Sequence, residues 1–139
     1  MVKSETIRVQ SKGFCDIVDV TSQIRQHVAA SSVRTGFVVV FVAGSTTGVT
    51  TIEYEPGLIA DLKAAFDRLV PTNIPYKHDA TWGDGNGFAH VRASLLGPSL
   101  SVPIVGGALA LGTWQQIVVI DFDNRPRRRD VLIQISGDL

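Results

Sequence analysis

Residues Phe37 to Ala43 read FVVVFVA, seven consecutive apolar side chains of which four are valine. Branched β-carbons are stiff and pack well on a pleated surface. An unbroken run of this length predicts a central strand covered on both faces. A chain holding such a strand must build a sheet around it and layers on either side.

The flanking sequence supplies the partners. Glu5 to Gln10 and Phe14 to Val20 read as strands before the run, and Val49 to Tyr54 reads as one after it. Ser99 to Val105 and Ala108 to Leu111 form a hairpin about Gly106-Gly107, followed by strands at Thr113 to Phe122 and Val131 to Ser136. Two helices are predicted. One runs from about Ser22 to Ala30 behind a Thr21 cap. The other starts at Pro56 and recurs at Leu58, Leu62, Ala65, Phe66 and Leu69, ending before Pro71. Two helices among seven or eight strands with short connections predict an α+β protein with predominantly antiparallel β-sheets, half-barrel or sandwich-like.

Composition narrows the function classes. The 139 residues suit a single domain, 1–139, with a real core. Thirteen basic and thirteen acidic residues cancel, which argues against nucleic acid and anionic membrane as partners. Asn124 to Arg129 is a basic run, but aspartates flank it and no aromatic platform accompanies it, so it reads as a solvated hairpin tip or a contact across subunits. Cys15 is the lone cysteine, and MVKSETIRVQ lacks the apolar run of a signal peptide, so a cytoplasmic location is expected.

The candidate site is TWGDGNGFAHVRASLLGPS, Thr81 to Ser99. Its glycine loop leads into alternating residues that predict a strand over Ala89 to Leu96. On a strand, His90, Arg92 and Ser94 share one face with Phe88. The plain alternative is a sheet face turned to water. The connection from Asn73 to Gly87 is long for a structureless segment, which favours a functional reading. His78, His90 and Asp84, with Glu53 as a further oxygen donor, are candidate ligands for a divalent metal, magnesium or zinc. His90 alternatively serves as general acid or base. Gly44 to Gly48, with the hydroxyls of Ser45, Thr46 and Thr47, and Arg92 are suited to holding a phosphate. Phe88 beside His90 would exclude water and depress the imidazole pKa.

The stretches GSTTGVTTIEYEPG, WGDGNGFAHVRASLLGPSL and LALGTWQQIVVIDFDNRPRRR together resemble the YjbQ-like family, also called the secondary thiamine-phosphate synthase family. The resemblance covers nearly the whole chain from Val20. It implies a homotrimer with sites near subunit boundaries. It also implies coupling of an aminopyrimidine diphosphate to a thiazole phosphate with release of pyrophosphate. The positions it marks are Glu53, His78, Asp84, Asn86, His90, Ser94 and the run Gly112-Thr113-Trp114-Gln115. Catalysis would fall to His90, Asp84, Glu53 and Asn86, and substrate binding to Arg92, Ser94, Ser45, Thr46, Thr47, Thr113, Trp114 and Gln115. Two departures stand out: Ala43-Gly44-Ser45-Thr46 replaces a histidine-threonine-threonine stretch of many relatives, and Phe88 replaces a histidine. The other functional class is a homotrimer that binds a small phosphorylated metabolite or a metal without catalysis. Trp114, the apolar positions 117 to 120 and the arginine hairpin are the expected subunit interface.

Overall fold

The computed structural model describes all 139 residues, Met1–Leu139. The apolar run becomes β3 (Thr35–Val42), the middle strand of a five-stranded sheet. Its order is β1 (Val2–Ser11), β8 (Arg127–Asp138), β3, β5 (Ser99–Val105) and β6 (Ala108–Leu109). A second sheet holds β2 (Asp16–Asp19), β7 (Gln116–Asp121) and β4 (Thr47–Ile52), in that order. Every strand pairing is antiparallel, as the short connections predict.

Period-two alternation turns Val38, Val40 and Val42 inward, where none is exposed, but leaves Phe37 48% and Phe41 37% exposed. The expectation that this strand is covered on both faces is therefore corrected. The strand that is covered on both faces is β7. Its Ile117 and Val119 join a core with Val38, Val40, Ile133 and Ile24. Its Val118 and Ile120 join a second core with Phe66, Phe88 and Phe122. Three layers result: the five-stranded sheet, the three-stranded sheet, and the helices that carry Phe66 and Phe88 over the latter, while Ile24 and Val28 of the first helix join the first core. Residues 117 to 120 are at most 1% exposed, so they cannot form the subunit interface expected of them.

Four helices are present rather than two: α1 (Thr21–Ser31), α2 (Pro56–Leu69), α3 (Lys77–Trp82) and α4 (Gly87–Leu96). In α2 the Glu55 carboxylate accepts from the Gly57 and Leu58 amides, with Pro56 opening the first turn. Thr21 does not cap α1. Its hydroxyl donates to Asp19 at 2.6 Å and accepts from the Ile117 amide at 2.8 Å, tying the helix start to β7.

The segment read as a strand over Ala89 to Leu96 is α4. Phe88, Ala89, Ala93 and Leu96 also fit one helix face, and that face packs in the second core. Eight alternating residues are compatible with either period, so burial of this face decided the outcome. Gly97 ends the helix at φ 91° and ψ 154°, a region open essentially to glycine, and Pro98 follows. None of the helices is long and apolar enough to cross a membrane.

Candidate functional site

Because α4 is a helix, successive side chains are separated by about 100° and residues two apart point to nearly opposite sides. The expected row of Phe88, His90, Arg92 and Ser94 on one face is thus corrected. His90 and Ser94 lie one turn apart on the outer side, and the Ser94 hydroxyl donates to the His90 carbonyl at 2.8 Å. Phe88 is 6% exposed in the core. Arg92 is 2% exposed, and its Nε and Nη2 donate to the Val70 carbonyl at 3.1 and 2.8 Å. Nη2 also reaches Asp67 at 3.1 Å, and the guanidinium lies 5.3 Å from the Phe88 ring centroid. Arg92 ties α4 to α2 and does not face His90.

The connection expected to be irregular contains α3, which brings His78 against His90 with ring centroids 4.2 Å apart. His78 Nδ1 lies 3.7 Å from Asp79 Oδ1 and 3.9 Å from Asp84 Oδ1, shielded from solvent and without a hydrogen bond. Asp79 Oδ1 accepts from the Gly87 amide at 2.8 Å, fixing the start of α4 beside α3. Burial lowers the His90 pKa, and the neighbouring His78 lowers it further, against the pull of Asp123, Asp84 and Asp79. The depression expected for His90 is present, with burial of the ring as its first cause and His78 as its second.

Beneath this pair lies a buried ionic network. Asp121 and Asp123 are each 1% exposed. Arg129 donates from Nε and Nη2 to the two oxygens of Asp121 at 2.8 and 3.1 Å, and Arg127 Nε donates to Asp123 at 2.8 Å. Thr46 accepts from Arg129 Nη2 at 2.6 Å and donates to Asp123 at 3.3 Å. Asn86 donates to Asp123 at 3.2 Å, leaving its own Oδ1 buried and unpartnered. The arginine run expected as a solvated tip or a contact across subunits is partly folded inward, since β8 begins at Arg127 and sends two of its guanidinium groups to Asp121 at the end of β7 and to Asp123 just beyond it.

The remaining expected residues collect elsewhere. Glu53, Thr113 and Trp114 line a cavity of about 360 Å³ with Asp19 and Tyr54. Glu53 follows β4 by one residue, six positions from Thr47, which puts the two about 20 Å apart along the strand direction. Gln115 bonds Thr51 at 3.0 Å and the Gly112 amide at 3.0 Å, bracing that loop. Within one chain the residues expected to form a single site are spread over several places: the histidine cluster, the cavity of Glu53 and Trp114, the cleft of Ser45, Thr47 and Ser94, and Arg92 turned inward.

A family model described as "UPF0047 protein YjbQ-like" matches residues 5–138. The chain belongs to this family. A UPF0047 protein of Archaeoglobus fulgidus is 41% identical over 119 residues, covering 86% of this chain and 90% of the relative. One from Methanothermobacter thermautotrophicus is 32% identical over 136 residues, covering 98% and 93%. A solved protein of unknown function from Sulfolobus solfataricus, described as YbjQ-like, superposes with a TM-score of 0.94 at 30% identity over 99% of each chain. A hypothetical protein from Aeropyrum pernix gives 0.91 at 30% identity, covering 98% and 99%.

In this YjbQ-like chain the donor set suits a divalent cation. Ligand atoms of His78, Asp79 and Asp84 lie within 4.8 Å of one another. Ligands about 2.0–2.2 Å from a tetrahedral ion are about 3.3–3.6 Å apart, so these side chains would draw together by about 1 Å on an ion. The orphaned Nδ1 of His78 is the atom such an ion would engage. Asp79 was missed by sequence reasoning, although it adjoins His78 and α3 turns both carboxylate and imidazole to one side. Asp123 and Arg129 were missed because no local pattern pairs residues of a β7 end with the start of β8.

Proposed function

We propose that this YjbQ-like protein binds a divalent cation through His78, Asp79 and Asp84 with His90 alongside, and uses it on a small phosphorylated molecule. The observation that supports this most is the desolvated, unbonded His78 Nδ1 beside two carboxylates and a second imidazole. A bound divalent ion would supply positive charge to phosphate oxygens. His90, with its lowered pKa, stands neutral at pH 7 and is able to accept a proton. Asn86 and Asp123 hold the base of the site in place.

Calorimetric titration with zinc tests the reading. The wild type should take up about one ion per chain, and Asp84→Asn should weaken it tenfold or more. Phe88→His should add no ligand, because that side chain points into the core. Absence of binding by the wild type to zinc, manganese and magnesium would overturn the proposal.

A narrower reading is a transferase joining an aminopyrimidine diphosphate to a thiazole phosphate. The two carboxylates favour it, since a diphosphate travels with magnesium and magnesium takes oxygen ligands. Purified protein supplied with both substrates and magnesium should release pyrophosphate. No product, with metal binding intact, leaves the cation-binding reading without this activity. Self-association into a homotrimer belongs to the same proposal. It is supported by the exposed Phe37, Phe41, Leu132 and Val105 on one sheet face.

A further inference from the structure

Between β3 and β4 the chain crosses from one sheet to the other through Ala43 to Thr46. None of the four backbone N–H groups in this crossing is bonded to a carbonyl of the chain. Beside the loop opens a cleft of about 180 Å³, lined by Gly44, Ser45, Thr47, Ser94 and Pro98. Thr47 is 1% exposed, and its Oγ1 is buried without any hydrogen-bond partner. A hydroxyl removed from water with nothing to bond is unfavourable by itself, and a ligand that bonds it relieves that cost.

The partner for such a ligand is Arg129. Its Nε and Nη2 are bonded to Asp121, Asp123 and Thr46, while Nη1 makes no hydrogen bond within the chain. A β-carbon placed on Gly44 would lie 3.1 Å from Arg129 Nη1 and 3.2 Å from Thr47 Oγ1. The absent side chain therefore leaves a hollow over the Gly44 backbone at the edge of the cleft, and a guanidinium nitrogen and an unbonded hydroxyl border it.

We propose that this hollow seats an oxygen of a phosphoryl group. Arg129 Nη1 and Thr47 Oγ1 donate to it, and the free N–H groups and the Ser45 hydroxyl surround the remaining oxygens. The polar atoms nearest the hollow are Arg129 Nη1 and Thr47 Oγ1, both able to donate. The carboxylates of Asp121 and Asp123 are buried and turned to Arg127 and Arg129, so they do not confront the anion. Backbone amides in a turn with one guanidinium are a recurrent way to hold a tetrahedral oxyanion. Thr46, already bonded to both Arg129 and Asp123, takes no part, and Arg129 fills the place that the sequence suggested for Arg92. The hollow is one turn of α4 from His90, through Ser94, which puts a seated phosphoryl group beside the cluster of His78 and Asp84. Its donors are separate from those of the cation site, so the two readings stand or fall apart.

The test is calorimetric titration of inorganic phosphate, diphosphate and phenyl phosphate into wild type, Gly44→Ala and Thr47→Val. A chelator is kept present so that no divalent ion bridges. Gly44 is not at positive φ, so alanine suits its backbone, and its methyl group, 3.1 Å from Arg129 Nη1 and 3.2 Å from Thr47 Oγ1, fills the hollow by pressing on both donors. Valine copies the shape of Thr47 without the hydroxyl. Wild type should bind at least one of the three probes. Each substitution should weaken that binding about tenfold or more while leaving zinc binding unchanged, and Thr47→Val should be no less stable than wild type because it removes an unbonded buried hydroxyl. Preference for phenyl phosphate would identify an esterified group as the natural occupant, and preference for an inorganic probe a free oxyanion. Absence of binding to all three, equal affinity in wild type and variants, or binding that appears only after metal is added overturns the proposal. Zinc titration of the same proteins reports on the cation site alone.

Discussion

Asp123 shows how much a single side chain depends on its setting. Burial by itself would raise its pKa. Hydrogen bonds from Asn86, the Asn124 amide and the Arg127 guanidinium outweigh burial and hold the carboxyl below the usual carboxylate range. A folded pKa below the unfolded one means that the unfolded chain binds the proton first as pH falls. The contribution to stability is therefore intact above the ordinary carboxylate pKa and is lost as pH falls through the lower, folded value. Urea midpoints for the wild type should drop on going from about pH 5 to about pH 3. Asp123→Asn should be about 1–3 kcal/mol less stable at neutral pH, since it weakens the charged hydrogen bond to the half-buried Arg127, and should show a shallower acid drop. An equally steep drop in the variant would exclude Asp123 as its source. In the sequence, Asp121, Asp123 and the arginines read as a solvated run, because adjacency in the chain does not disclose which charges will be shut away from water.

Among the elements, α2 and α4 differ in how far the sequence discloses them. The α2 residues repeat their apolar positions over fourteen positions, with Pro56 at the start and Glu55 as cap, and no strand accommodates that pattern. The α4 segment is ten residues, short enough for both periods, and its helical face is defined by what it covers: Phe66, Phe122 and β7. Arg92 holds the two helices together by bonding the carbonyl of Val70, the residue that caps the end of α2, a role that no sequence motif announces. Arg92→Ala should cost about 3 kcal/mol, because the Val70 carbonyl loses its buried donor and the guanidinium leaves a space under Phe66 and Phe88. The exposed end at Asp67 should contribute little. Chemical denaturation measures the loss, and zinc affinity in the same variant should be unchanged. Lost zinc binding at full stability would mean that Arg92 serves the site directly.

On the scale of the whole molecule, the layering leaves one sheet face without cover. Phe41 and Leu132 are paired across β3 and β8 and are 37% and 40% exposed, with Phe37 at 48% nearby. Apolar side chains grouped in this way on a sheet suit association with further copies. Light scattering should give a mass near three times 15.0 kDa, and Phe41→Asp with Leu132→Asp should reduce it to that of one chain. A wild-type monomer that persists at micromolar concentration would exclude the trimer. The sequence by itself determined most of the strands, the long helix and the α+β class, and it singled out His78, Asp84 and His90 as candidates. Those features rest on local periodicity, turn residues and side-chain type. Only the tertiary structure decided that Ala89 to Leu96 is helical, that Arg92 and Phe88 face inward, and that Glu53 and Trp114 sit apart from the histidines. It also decided that Arg129 and Thr47 converge over Gly44. Each of these is fixed by which surfaces exclude water together, a relation between segments far apart in the chain.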